Sequence, residues 1–233
     1  MGKMIAVCSG SGGVGKTTVA LSLAIGLAHA GQRTVLLDMS AGARCCDLLL
    51  GMESVVTIDL SDVISGQAML ETALYPVPSY ANLTFVCASL YDGSLPDSFS
   101  GAVLALQTMF DYLVLDMPTG CAAIGHGVFG TEDEMLVVLT PDDASIRSAE
   151  RLINGISREK SVSLVINKAS RDMLRHKRQY SPETLEIILD KPVLAQIPDE
   201  RAIVIASLEH KPAAEIGAAK GPMNRLVRSM MER

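Results

Sequence analysis

The chain has 233 residues, of which 48% are hydrophobic and 4% aromatic, and its formal net charge is −6. This length allows a sizeable, mostly aliphatic core, and the acidic balance argues against indiscriminate binding to nucleic acid. No apolar run is long enough to span a membrane, and five cysteines without CxxC spacing are typical of a reducing cytoplasm rather than a disulfide framework.

The N-terminal segment predicts a buried strand followed by a phosphate-binding loop. Met4–Val7 is a short apolar run, and the next residues match the pattern G-x-x-x-x-G-K-[ST] through Gly10, Gly15, Lys16 and Thr17. Glycines let successive backbone N–H groups face a phosphate, the lysine can reach the β- and γ-phosphates, and the threonine hydroxyl can ligate Mg²⁺. The strand, loop and helix stand in the order that nucleotide binding needs, which disfavours a glycine-rich turn without a ligand.

Apolar runs and helical patterns alternate along the rest of the chain. The first predicted helix is Val19–Ala30, closed by Gly31; further helices are predicted at Gly101–Phe110, Ser145–Ile156 and Pro182–Leu189. The other predicted strands are Thr34–Leu37, Leu83–Cys87, Tyr112–Leu115, Glu134–Leu139, Ser163–Ile166 and Val193–Gln196. This alternation predicts an α/β fold with a doubly wound, mostly parallel sheet and helices on both faces. Since no linker divides the chain, we expect one domain over residues 1–233.

Two aspartates follow predicted strands. Asp38 ends the second strand, and Asp116 ends the fourth, within the segment Asp116–Gly120. A carboxylate at the carboxyl end of a strand beside a phosphate loop is well placed to hold Mg²⁺, although an aspartate there can instead cap a helix. Gly120 has no side chain, so its backbone N–H can approach a γ-phosphate.

These motifs, taken in order, resemble the MinD branch of the MinD/ParA family of deviant-Walker ATPases over nearly the whole chain. The resemblance is carried by Ser9–Thr18, Asp38–Glu53, Asp116–Gly120, Thr140–Arg147 and Ile197–Glu200 with Ala206 and Ser207. It implies a P-loop NTPase of the SIMIBI type that acts as a nucleotide-dependent switch in spatial positioning, such as division-site selection.

The resemblance also implies roles for individual residues. Lys16, Asp38 and Asp116 would be the catalytic residues, with Thr17 and Asp116 holding Mg²⁺ and with Asn167, Pro198 and Asp199 lining the base. The set that binds ATP or ADP would be Gly10, Ser11, Gly12, Gly13, Val14, Gly15, Lys16, Thr17, Thr18, Gly120, Asn167, Pro198 and Asp199. Members of the family dimerise face to face around two ATP molecules, and a partner protein stimulates hydrolysis.

Two residues depart from the family pattern. Ser11 replaces the signature lysine that reaches the partner's phosphates, and Ser40 replaces an acidic residue that orients the attacking water. A cation that stabilises a transferring phosphate in trans contributes about 10³–10⁵ in rate. We therefore expect nucleotide binding with slow hydrolysis; the alternative is a catalytically degenerate pseudo-ATPase that scaffolds partner proteins.

Cys45 and Cys46 fall in the segment after Asp38, and Cys121 follows Gly120. Thiols near a nucleotide can sense oxidation or bind a metal, but a metal site normally has better-spaced ligands. Free thiols are therefore our expectation.

A basic cluster comprises Lys168, Arg171, Arg175, His176, Lys177 and Arg178. It permits a ParA-type partition ATPase that binds DNA non-specifically, but the acidic chain and the lack of interleaved aromatic residues favour a solvated loop beside the base pocket.

The C-terminal segment has Met223, Leu226, Val227, Met230 and Met231 at helical spacing, which is typical of a core helix or of a basic amphipathic membrane anchor. It resembles the family's last domain helix, and on this resemblance we expect the tail that normally follows to be absent. We therefore expect a cytoplasmic protein without stable membrane attachment; a peripheral position at the inner face of the membrane is the alternative.

Overall fold

A computed structural model describes residues 1–39, 45–88, 97–120, 130, 132–156, 160–209, 211–212 and 215–233. An eight-stranded sheet lies at its centre, with the strand order β3-β4-β2-β5-β1-β6-β7-β8. The strands are β1 (Lys3–Cys8), β2 (Thr34–Asp38), β3 (Tyr75–Pro76), β4 (Leu83–Cys87), β5 (Tyr112–Asp116), β6 (Glu134–Leu139), β7 (Ser161–Ala169) and β8 (Val193–Pro198).

The sheet confirms the predicted fold class. All neighbouring strands pair in parallel except β3 and β4, which are antiparallel. The central strands are continuous apolar runs because helices cover both of their faces. The seven predicted strands are all present, and β7 extends beyond its predicted bounds at both ends.

Helices flank the sheet and include the four that were predicted. They are α1 (Lys16–His29), α2 (Cys45–Leu50), α3 (Leu60–Ile64), α4 (Asp97–Met109), α5 (Asp143–Asn154), α6 (Arg171–Arg175), α7 (Pro182–Leu189), α8 (Arg201–Leu208) and α9 (Gly217–Glu232), with a 3₁₀ turn at Leu70–Ala73. Helix α1 begins before its predicted start because the phosphate loop leads directly into it. Its cap is Ala30, and Gly31 follows in the left-handed conformation with φ +85°.

The sheet separates two apolar cores. Ile5 and Val7 of β1 face a core that includes α1 and α9, whereas Met4 and Ala6 face a core that includes α4, α5 and α7. This alternation follows from the two-residue period of a strand.

The C-terminal helix α9 belongs to the first core, as the resemblance implied. Its Met223, Leu226, Val227 and Met230 are buried, while Met231 is 42% exposed. Within the described residues, no helix combines the length and hydropathy needed to cross a membrane.

The register of the central strands brings the two aspartates together. Asp116 of β5 lies opposite Val7 of β1 on one side and opposite Asp38 of β2 on the other. The carboxyl ends of these three central strands therefore lie side by side, near the point where the strand order reverses. Ligands bind at this point in open parallel sheets.

Candidate functional site

The loop between β1 and α1 needs glycine at Gly10, Gly13 and Gly15, either for lack of space or because φ is positive. Gly15, the cap of α1, has φ +90°, and a β-carbon there would collide with the side-chain amide of Asn167. A β-carbon on Gly10 would collide with the backbone carbonyl of Ser148 in α5. A β-carbon on Gly12 or Gly13 would meet nothing within 4 Å, although the φ of +75° at Gly13 still favours glycine. The loop is thus packed against the protein at its ends and open at its centre.

Three polar side chains meet at the start of α1. The Lys16 ammonium forms an ion pair of 2.5 Å with Oδ1 of Asp116, and the Thr17 hydroxyl donates a hydrogen bond of 2.7 Å to Oδ2 of the same carboxylate. Asp116 is fully buried and Lys16 is only 8% exposed. Burial raises the pKa of Asp116, while the Lys16 ammonium and the Thr17 hydroxyl oppose that rise. We take the carboxylate to be ionised at neutral pH because its ammonium partner is in direct contact.

Asp38 and Cys46 complete the buried end of this group. Asp38 accepts a hydrogen bond of 3.0 Å from the backbone N–H of Cys46, whose sulfur lies 3.7 Å from Oδ2 of Asp116. One ligand atom from each of these three residues lies within 4.8 Å of the other two. However, burial and the charges of Asp38 and Asp116 raise the pKa of the Cys46 thiol well above its ordinary value. Because the thiolate is the reactive and metal-binding form, this environment favours the expected free thiol.

The end of β7 contacts the outer side of the loop. The side-chain amide of Asn167 donates a hydrogen bond of 2.7 Å to the Val14 carbonyl, and the Lys168 ammonium donates one of 2.6 Å to the Gly13 carbonyl. We expected Lys168 to belong to a basic cluster in a solvated loop beside the base pocket. Lys168 is exposed, as are the other members on α6 and in the residues after it, and its ammonium also contacts the phosphate loop.

Two cavities flank the loop. The inner cavity, of about 520 Å³, is lined by most of the predicted nucleotide-binding residues: Ser11, Gly13, Val14, Gly15, Lys16, Thr17, Thr18, Asn167, Pro198 and Asp199. The outer cavity, of about 500 Å³, lies toward α5. It shares five lining residues with the inner cavity, Ser11, Gly13, Val14, Lys168 and Asp199, and it is also lined by Gly12. The size of the inner cavity falls in the usual range for small-molecule sites.

The remaining predicted site residues lie near the inner cavity but do not line it. Gly10 packs against α5, and the carboxylates of Asp38 and Asp116 lie buried beneath Lys16 and Thr17. We expected the backbone N–H of Gly120 to face a γ-phosphate. In the structure this N–H donates a hydrogen bond of 2.9 Å to the Ser9 carbonyl. Ser40 and Cys121 lie outside the described residues.

The structure adds cavity residues to those that were given a binding role. Cys45, Thr119, Glu200, Ile203 and Val204 line the inner cavity, the last two giving it an apolar wall beside Pro198. Thr119 and Glu200 belong to the predicted motifs, whereas Ile203 and Val204 lie outside them, separated by two residues from the Ile197–Glu200 segment. Closeness to that segment was the available signal for these two residues.

The donor atoms present suit a Mg²⁺ ion. Thr17 and Asp116 offer a hydroxyl and a carboxylate oxygen that are already within hydrogen-bond distance of each other, at 2.7 Å. Oxygen is the ligand atom that Mg²⁺ prefers, and it keeps several waters when it binds through one or two protein groups. The inner cavity, which Gly13 and Thr17 both line, leaves room for a phosphate next to the Thr17 hydroxyl.

Known proteins share both the sequence pattern and the fold. Residues 5–213 match the family described as the CobQ/CobB/MinD/ParA nucleotide binding domain. The chain is 33% identical over 220 residues to a putative septum site-determining protein MinD of Guillardia theta, covering 91% of this chain and 81% of the relative.

Solved structures agree. The chain in the MinC:MinD cell division protein complex of Aquifex aeolicus superposes with a TM-score of 0.87 at 26% identity, covering 99% of this chain and 96% of that one. The cell division ATPase MinD of Pyrococcus furiosus superposes with a TM-score of 0.80 at 25% identity, covering 100% and 99%.

Proposed function

The chain belongs to the CobQ/CobB/MinD/ParA nucleotide-binding family, and on that premise we propose that it is a MinD-like ATPase acting as a nucleotide-dependent switch in division-site positioning. A relative of similar length is named as a septum site-determining protein, and a structural neighbour is named as a cell division ATPase. The resemblance spans the phosphate loop and the segments around it, so it includes the parts that would act on a nucleotide.

The observation that carries this proposal is the Lys16–Asp116–Thr17 group at the mouth of the loop. A lysine, a hydroxyl and a carboxylate meet where the first residues of α1 line an open cavity. The positive end of the α1 dipole adds attraction for an anion at the same point. The arrangement therefore suits the phosphates of ATP or ADP with Mg²⁺.

Each residue has a proposed task. Lys16 neutralises charge on the β- and γ-phosphates once it exchanges its contact with Asp116 for the nucleotide. Thr17 and Asp116 hold Mg²⁺, which when bound neutralises charge that develops on the phosphate oxygens. Asp38 fixes the start of α2 through the Cys46 N–H, and the neighbouring Cys45 lines the inner cavity. Pro198, Ile203 and Val204 provide an apolar surface for the base.

Hydrolysis is expected to be slow in this chain. Ser11 lines both cavities and carries no charge, so it cannot supply the cation that the family's lysine gives to a partner subunit. We propose that the ATP-bound protein pairs with a second copy across this face and that a partner protein accelerates hydrolysis. The protein would be cytoplasmic, and a peripheral position at the inner face of the membrane is the alternative.

Hydrolysis measurements test the proposal. We expect the wild-type protein to release phosphate from Mg-ATP slowly, and we expect Lys16→Ala to abolish the release because the phosphates lose their ammonium partner. Turnover that Lys16→Ala leaves unchanged would show that a contaminant is responsible. Binding without any turnover would instead indicate the pseudo-ATPase scaffold.

A further inference from the structure

The end of β7 departs from regular strand geometry at Asn167 and Lys168. The pairing of β7 with β8 shifts register between Ile166 and Ala169, and Lys168 adopts the left-handed conformation with φ +55°. Successive side chains of a regular strand point to opposite faces of the sheet. Here the irregularity turns two successive side chains toward the same phosphate loop, as β-bulges beside functional sites do.

Gln179 holds this irregular segment in place. Its side-chain amide accepts a hydrogen bond of 2.8 Å from the Ser170 N–H and donates one of 3.4 Å to the Lys168 carbonyl. The left-handed conformation is unfavourable for a side chain such as lysine and persists only where its surroundings impose it. The fold therefore maintains an unfavourable backbone at a position whose side chain reaches the loop.

The two contacts made by this segment fix two successive peptide groups. Asn167 binds the Val14 carbonyl and Lys168 binds the Gly13 carbonyl. In a trans peptide the carbonyl and the following N–H point in opposite directions. With both carbonyls held toward β7, the N–H groups of Val14 and Gly15 must point away from β7, into the curl of the loop.

Lys168 also differs from Lys16 in its electrostatic surroundings. Lys16 is paired with Asp116, whereas no carboxylate of the described residues lies within ion-pair distance of the Lys168 ammonium. Lys168 lines both cavities, and so does Ser11, which stands in place of the family's loop lysine. Its charge is therefore available to an anion in the loop.

We propose that Lys168 is a nucleotide-positioning residue. It holds the Gly13 carbonyl outward so that the loop N–H groups face the phosphates, and it supplies, within the same subunit, a cation to the two cavities that Ser11 also lines. The inference rests on the proposed nucleotide site. The ligand it serves is a nucleoside di- or triphosphate, because the contact acts on the loop that surrounds the phosphates.

The test compares Lys168→Met with Lys177→Met. Lys177 is a matched control, since it is exposed, has φ +54° and lies in the same basic cluster, but it lines neither cavity. Titration calorimetry with Mg-ATP and Mg-ADP should show about tenfold weaker affinity for Lys168→Met, the size expected from losing a hydrogen bond with a charged donor. Lys177→Met should bind as the wild type does.

Two further variants separate positioning from folding. Lys168→Arg keeps a charged donor and should recover most of the affinity. Lys168→Gly removes the donor but relieves the left-handed strain, so the nucleotide-free protein should keep its melting temperature while its affinity falls.

The inference is overturned if Lys168→Met binds like the wild type, or if Lys177→Met loses as much affinity. It is also overturned if affinity falls only in proportion to a lower melting temperature. A wild-type protein that binds neither nucleotide would overturn the proposed function itself, which the variants alone cannot do.

Discussion

At the scale of single residues, replacing one partner of the Lys16–Asp116 ion pair should lower the stability of the fold strongly, because both partners are buried. Removing one partner leaves a buried charge uncompensated. We expect Asp116→Asn to lower the free energy of unfolding by about 3 kcal/mol. Urea denaturation of the nucleotide-free protein measures the loss.

The matched control is Asp111→Asn, which breaks an ion pair of 2.7 Å with Arg33 at the surface. Arg33 is solvent-exposed, so water replaces the lost contact and the change in stability should be much smaller. Equal losses in the two variants would show that the Lys16–Asp116 pair is not effectively buried.

Residue patterns predicted the loop but not every side chain around it. The spacing of Gly10, Gly15, Lys16 and Thr17 is enough to predict a phosphate loop, because those residue types follow from its chemistry. Nothing in the sequence reveals the left-handed backbone of Lys168, which depends on the pairing of β7 with β8 and on Gln179. The sequence therefore predicts a basic cluster that includes Lys168, but it does not predict the contact of Lys168 with the phosphate loop.

At the scale of elements, α9 stabilises the fold by packing against α1. Leu226 is fully buried in this core, and a β-carbon on Gly26 of α1 would collide with Val227. Leu226→Ala should therefore cost about 3 kcal/mol in thermal or chemical unfolding, as large-to-small core substitutions do. Met231→Ala changes a residue that is 42% exposed and should have little effect. A small loss in both variants would contradict the packing of α9.

Tyr80 joins the segment before β4 to α1 and to the residues before α9. Its ring lies 5.4 Å from that of His29, and its hydroxyl donates a hydrogen bond of 3.4 Å to Glu215. Burial, with the Glu215 charge, raises the pKa of Tyr80 from its ordinary value of 10.0 to about 12.

A raised phenol pKa stabilises the folded state below pH 10.0, and this contribution is lost as the pH rises through about 12. Ultraviolet titration of tyrosinate should show a group ionising at about 12 that is missing in Tyr80→Phe. The variant should also lose less stability over this alkaline range. Identical titration curves would contradict the assignment.

Long, buried elements could be predicted from the sequence, and short or exposed ones could not. The seven predicted strands are apolar runs because the sheet is covered on both faces. Strand β3 was not predicted because it is only Tyr75–Pro76, at the edge of the sheet and too short to show a pattern. Helices α2, α3 and α6 have five or six residues each, less than two turns, so they carry little periodicity.

At the scale of the whole molecule, the loop face is the surface proposed to meet a second copy. Ser11 lies on this face, where the family's lysine would cross to a partner subunit. We expect Ser11→Lys to strengthen ATP-dependent dimerisation because it restores a cation opposite the partner's phosphates. Sedimentation with Mg-ATP should show a larger dimer fraction for the variant than for the wild type. Equal monomer fractions would count against pairing across this face.

The most direct test of the central claim is calorimetric titration of the intact protein with ATP at saturating Mg²⁺, beside Lys16→Ala. We predict that the wild type binds ATP and that Lys16→Ala binds it far more weakly, because the loop ammonium and the backbone N–H groups act together on the phosphates. Absence of binding by the wild type, or equal binding by the two proteins, would contradict the assignment of the β1–α1 loop as a nucleotide site.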